Sequence, residues 1–150
     1  MATAVAAGAL STDPAEIIRI DADIFSPNAL GGVLDDESIS QLQVEVVCGG
    51  ANNPLVRAEH ADLLAQRGIL YAPDYIVNAG GVIAVSDELH RNGHSPERCR
   101  DRTEHIGDTL RRVFAMAEEQ GMSTAQAAHQ LASERIELGA HRRRFLLPTR

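Results

Sequence analysis

Along the chain, short apolar runs alternate with segments whose apolar positions recur at helical spacing, and proline, glycine or asparagine marks each change. "PAEIIRIDADIFSP" predicts a helical turn and then a brief buried strand near Ala22 to Phe25, closed by Ser26 and Pro27. "NALGGVLDDESISQLQ" predicts a glycine-containing loop and a helix from about Asp36, and "VEVVC" a β-branched strand of the kind covered on both faces. "LVRAEHADLLAQRG" predicts a helix with Gly68 just beyond its end, and "ILYAP" a strand stopped by Pro73. Such alternation implies βαβ units and a parallel sheet.

After Asn78 the pattern turns helical. A helix is expected to about Leu89, then the break "HRNGH", then a helix capped by Ser95 with Pro96 at its first position. Ile106, Leu110, Val113, Phe114 and Ala117 mark one buried face of that helix. Ser123 with Gln126 predicts a capping box opening the last helix, on which Ala128, Leu131, Ala132 and Arg135 share a face. The expected organisation is a flexible, alanine-rich start over 1–14 and a single partial domain over 15–150, with a parallel sheet followed by a helical tail.

Composition narrows the classes of function. A length of 150 residues permits one domain or a piece of one, and a net charge of -7 argues against a nucleic-acid partner. The arginines at 142–144 are expected to be a solvated helix end. Two cysteines make no disulfide framework, and the start "MATAVAAGALSTD" lacks a basic n-region and is too short to span a bilayer. A cytoplasmic protein without a membrane partner is the expectation. All fourteen basic residues are arginine; the chain contains no lysine.

Candidate chemistry lies at the strand ends, where open parallel sheets bind ligands. "SPNALGG", "GGANNP" and "APDYIVNAGG" each join small residues to an asparagine: Asn28, Asn52 or Asn53, and Asn78. Glycine allows close backbone approach and an amide both donates and accepts, which suits a flat ligand bearing its own carboxamide. Each loop is also of ordinary turn composition. His90 and His94 straddle a glycine-containing break, and a zinc site wants further ligands at closer spacing, so no metal is expected. Cys48 is expected to be a small buried hydrophobe, the acidic run Asp35, Asp36 and Glu37 a first helical turn, and Asp87 and Glu88 solvated or capping groups.

These loops, taken in order, resemble the cofactor domain of the glutamate/leucine/phenylalanine/valine dehydrogenase family. "DADIFSPNALGGVLDDE", "GGANNP", "RGILYAPDYIVNAGGVI", "SDELH" and "IGDTL" carry the resemblance, over roughly residues 15 to 140. Branched-chain and aromatic members are more similar than glutamate members, through Ala-Asn-Asn and the Asp-Glu-Leu after Asn-Ala-Gly-Gly. The resemblance implies a partial Rossmann-like parallel sheet, the second half of a dinucleotide-binding domain. It further implies NAD-dependent oxidative deamination of an L-amino acid of leucine, valine or phenylalanine type to a 2-oxo acid, in a homo-oligomer. Pro27, Asn28, Ala29, Ala51, Asn52 and Asn78 would then face the cofactor, and Asn78, Thr103 and Ile106 the substrate. At Asn28 many members carry cysteine, and a short insertion stands around Asn92 to His94.

The departures are absences. The family's amino-terminal substrate domain, with its lysines and aspartate, has no counterpart in these residues, nor does the G-x-G-x-x-G phosphate loop. The expectation is therefore a truncated portion, inactive alone, that needs a missing amino-terminal portion or a full-length homologue. The alternative is a non-catalytic module that binds or assembles with such enzymes.

Overall fold

The computed structural model describes the backbone of residues 2–143 and the side chains of 3–139. A short helix α1 (Ala2–Ala6) and a 3-10 turn (Ile17–Arg19) precede the sheet. The strands are β1 (Ile24–Phe25), β2 (Val46–Val47) and β3 (Leu70–Tyr71), all parallel, in the order β1-β2-β3. Ile24 stands opposite Val46, which stands opposite Leu70. Helices α2 (Asp36–Gln41) and α3 (His60–Gln66) make the crossovers, as the alternation predicts. Asp35 opens α2, accepting from the Ser38 amide while the Ser38 hydroxyl accepts from the Asp35 amide. Gly68 takes a φ of +73° beyond α3, a conformation that costs glycine little. The Arg67 guanidinium donates to the carbonyls of Ile39 and Leu42, tying α3 to the end of α2.

The first core joins Leu34, Ile39, Leu42, Val47, Leu64, Ile69 and Tyr71 between the sheet and these two helices. Each buried aliphatic side chain there stabilises the fold by about 1.5–3 kcal/mol. The carboxyl-terminal half is helical: α4 (Asp74–Val77), α5 (Gly80–Glu88), α6 (Pro96–Glu104), α7 (Ile106–Gln120) and α8 (Thr124–Arg143). Val113 and Ala117 of α7 pack on Ala127, Ala128 and Leu131 of α8 to form a second core. The Thr124 hydroxyl donates to the Tyr71 carbonyl at 2.5 Å, joining α8 to the end of β3. Among the described residues no helix is long and apolar enough to cross a membrane.

Four features depart from the sequence reading. β1 is not buried, since Ile24 is 56% exposed; the strand lies at the sheet edge, and a short apolar run does not distinguish an edge from a centre. The helix expected from Leu55 starts at His60, because Leu55 makes a parallel bridge to Leu34 and Val56 donates to the Leu34 carbonyl at 3.0 Å. The helix opened by Ser95 breaks at His105, where the imidazole Nδ1 lies 2.6 Å from the Asp101 carbonyl, a side chain entering the helical ladder. Only half of the capping box at Ser123 forms. Its hydroxyl accepts from the Gln126 amide at 3.4 Å, but the Gln126 side chain donates to Asp62 of α3 at 3.1 Å. The 142–144 basic side chains lie outside the described residues.

The β1 edge and the apolar positions Val82, Val85 and Leu89 of α5 and its end face solvent. Exposed edges and apolar patches promote association. Sedimentation velocity on the isolated chain is expected to show dimers or larger species, with a broad thermal transition. A monomer that melts sharply would contradict this.

Candidate functional site

The site begins with where each strand stops. β1 ends at Ser26 and Pro27, β2 at Cys48 to Gly50, and β3 at Ala72 and Pro73, so three loops leave one end of the sheet side by side. Backbone contacts draw the first two loops together. The Ala51 amide donates to the Pro27 carbonyl at 2.9 Å, and the Gly32 amide to the Asn53 carbonyl at 2.8 Å. The approach is close enough to demand glycine: a Cβ on Gly49 would stand 2.1 Å from the Pro27 oxygen, and one on Gly31 2.5 Å from the Asn52 oxygen. Gly49→Ala is therefore expected to destabilise the chain by about 1–3 kcal/mol or more, whereas Gly80→Ala, with open space around its Cβ, should not. Denaturant midpoints compare the two; equal midpoints would remove the close-packing argument.

The asparagines complete the junction. Asn28 donates from Nδ2 to the Ser26 carbonyl and hydroxyl, both at 2.9 Å, and its Oδ1 accepts from the Gly50 amide at 2.8 Å. Its side chain is thus spent on fixing the first loop to the second. Asn53 adopts a φ of +49°, and its amide donates to Asp74 Oδ2 at 2.9 Å. Asp74 Oδ1 accepts from the Tyr71 hydroxyl at 3.0 Å. Burial first, and then the Asp74 carboxylate, hold the Tyr71 phenol far above its ordinary value, so it stays a donor. Asp74 therefore welds the second loop to the third. Sequence reasoning missed it, although the Pro-Asp pair at the mouth of α4 was a visible signal.

Asn78 closes α4 and is half-buried. Its Nδ2 donates to Asn52 Oδ1 at 2.6 Å and lies 3.4 Å from the Ala51 carbonyl. Among the described residues nothing bonds Asn78 Oδ1 or the Asn52 amino group. Pro27, Asn28, Ala51, Asn52 and Asn78 are thus brought together at the sheet's carboxyl end, with Ala29 exposed on the first loop.

Thr103 and Ile106 are separated from that junction and from each other in use. Ile106 lines a cavity of about 490 Å³ with Ile76, Ala79, Ile83, Leu131 and Arg135. The α8 positions predicted to share a face all line this cavity, and Ala79 connects it in sequence to Asn78. Thr103 lies outside the lining, its hydroxyl donating to the Cys99 carbonyl at 2.8 Å. Cys48 is half-buried rather than buried, because it sits at the loop mouth just past β2; both cysteines are free. Asp87 is not solvated: it is 2% exposed and clamped by Arg98.

A parallel sheet with crossover helices and three loops gathered at its carboxyl end is a partial Rossmann-like fold. The family model described as Glutamate/Leucine/Phenylalanine/Valine dehydrogenase matches residues 3–144. The chain belongs to that family. It is 45% identical over 130 residues to leucine dehydrogenase of Geobacillus stearothermophilus, covering 87% of this chain and 35% of that protein. The crystal structure of L-tryptophan dehydrogenase from Nostoc punctiforme superposes with a TM-score of 0.84 at 43% identity, over 89% of this chain and 40% of that one. A hetero-hexameric glutamate dehydrogenase from Thermus thermophilus, solved with Leu bound, gives a TM-score of 0.71 at 28% identity, over 95% of this chain and 36% of that one. The chain spans about a third of the length of such relatives.

Proposed function

We propose that the three loops form the nicotinamide end of an NAD site, in an enzyme that oxidatively deaminates an L-amino acid of leucine, valine or phenylalanine type to its 2-oxo acid. The observation that carries this is the Asn52–Asn78 amide pair at 2.6 Å, which leaves an amide oxygen and an amino group unspent beside glycine-lined backbone. A planar ring bearing a carboxamide needs one donor, one acceptor and a close flat approach. NAD, when bound, would accept the hydride from the substrate α-carbon.

This chain's residues would bind and orient. Pro27, Asn28 and Ala29 on the first loop and Ala51 and Asn52 on the second form the wall towards the ribose and nicotinamide. Asn28, its side chain occupied, contributes backbone. Asn78 places its free carbonyl towards the ring and the amino acid together. Ile106, in the apolar cavity beyond Ala79, contacts the substrate side chain, whereas Thr103, in α6 before the break at His105, lies outside that cavity. An apolar wall of that kind discriminates by size, each methylene contributing about 1–3 kcal/mol.

Proton transfer is another matter. No lysine occurs in the 150 residues, and arginine stays protonated at any working pH. The base is therefore assigned to a lysine outside these residues, in a homo-oligomeric assembly; a carboxylate anchor needs only charge, and arginine can supply it. The alternative reading, a non-catalytic module that binds such enzymes, is favoured only by the exposed β1 edge and α5 face. The experiment that separates the two is complementation, adding the amino-terminal portion of a related leucine dehydrogenase to this chain. Recovery of leucine-dependent NADH formation supports the enzymatic reading; stable association without activity supports the module.

A further inference from the structure

The turn between α5 and α6 gathers chemistry that the loops at the sheet do not use. Asp87, in the last turn of α5, has both oxygens engaged. Its Oδ1 accepts from Arg98 Nε at 2.6 Å, and its Oδ2 from Arg98 Nη2 at 2.9 Å and the Ser95 amide at 2.6 Å. Arg98 also donates to the Gly93 carbonyl at 2.6 Å. These contacts alone suffice to fix the turn. Yet two further side chains converge on the same carboxylate: His94 Nδ1 lies 3.5 Å from Asp87 Oδ2 and 3.8 Å from Cys99 Sγ. The three ligating atoms all lie within 4.8 Å of one another.

The spacing has a chemical reading. The 3.5 Å contact is too long for a good hydrogen bond. In a tetrahedral zinc site, bonds of about 2.0–2.1 Å to nitrogen and oxygen and about 2.3 Å to sulfur put neighbouring donor atoms roughly 3.3–3.6 Å apart. The observed separations of 3.5 and 3.8 Å lie within a few tenths of that edge. One carboxylate oxygen, one imidazole nitrogen and one sulfur suit zinc better than magnesium or calcium, which take oxygen.

The surroundings are consistent with such a site. Arg98 and the Ser95 amide hold Asp87 ionised, well below the usual carboxylate range. Cys99 would bind as the thiolate, its proton released as the metal arrives. With Arg98 remaining against the carboxylate, the thiolate and carboxylate leave the loaded cluster with a single net positive charge, open to solvent at His94. His94 is 46% exposed, which gives the ion an entry path and leaves a fourth position towards water.

We propose that Asp87 Oδ2, His94 Nδ1 and Cys99 Sγ form a three-donor Zn(II) site that staples the turn after α5 to the start of α6. The donors Asp87, His94 and Cys99 come from a helix end, a turn and a helix start, so no compact spacing in the sequence marks them.

The test uses the full chain freed of metal by chelation and kept reduced. Titration with Co(II) should give one equivalent bound per chain, with a sulfur-to-cobalt charge-transfer band and the intense visible bands of a tetrahedral ion. Zn(II) should displace it and raise the melting temperature. Cys99→Ser should abolish the charge-transfer band, His94→Gln should weaken Zn(II) binding by about tenfold or more, and Cys48→Ser should leave the band in place. The parent spectrum needs no variant to fold. Absence of a charge-transfer band in the parent, or a band that follows Cys48, would overturn the proposal. Zn(II) binding unchanged in both Cys99→Ser and His94→Gln would do the same.

Discussion

Incubated with NAD and leucine, valine or phenylalanine across alkaline pH, the 150-residue chain by itself is expected to produce no NADH above background. Oxidative deamination needs a base for the amine or for water, and a cation to hold the carboxylate. A lysine whose pKa is lowered in a closed cleft can serve as that base. All fourteen cations of this sequence are arginines, which cannot. The sheet offers the loops after three strands but no G-x-G-x-x-G turn to seat a pyrophosphate. Cofactor affinity of the chain alone should accordingly be millimolar or weaker. Both deficits should be relieved together by a complementary amino-terminal portion. Robust amino-acid-dependent reduction by the purified chain would show that the fold recruits other groups for the proton.

Asn78→Asp in such a completed enzyme should lower kcat/KM by about 5- to 150-fold, from roughly 1–3 kcal/mol of lost stabilisation. The replacement removes the Nδ2 donor that Asn52 Oδ1 now accepts at 2.6 Å. It also sets a carboxylate against that oxygen and beside the position proposed for the amino acid. Most of the loss should fall on kcat if the amide orients the ring in the transition state. Melting of the variant should stay close to the parent, because Asn78 is only half-buried. An unchanged kcat/KM would return Asn78 to the role of a helix-terminating turn residue.

Much of this was legible in the chain. Pro27, Gly49 with Gly50, and Pro73 stop the strands where the sequence says they should, and alternation makes the sheet parallel. Ser95 with Pro96 opens α6 as predicted. The convergence of three loops followed from the topology, since parallel strands all end on one side. What escaped depended on partners distant in sequence. The Asn52–Asn78 bond spans 26 residues, and the Gln126–Asp62 bond that diverts a cap spans 64. Asp87, expected to be solvated or capping, is buried because its clamp, Arg98, lies across a turn eleven residues on. The break at His105 carries no proline, only an imidazole aimed at a carbonyl. Exposure of β1 was invisible because two apolar residues look alike at an edge and at a centre.

The central claim is that the loops after β1, β2 and β3 are a nicotinamide-facing site, and NMR titration of the 15N-labelled chain with NAD or nicotinamide mononucleotide at millimolar concentration tests it most directly. Amide shifts should concentrate at residues 26–32, 48–53 and 78–81, with the Asn52 and Asn78 side-chain amides among the largest. Shifts spread over the surface, confined to the cavity between α5 and α8, or absent at both asparagines would contradict it.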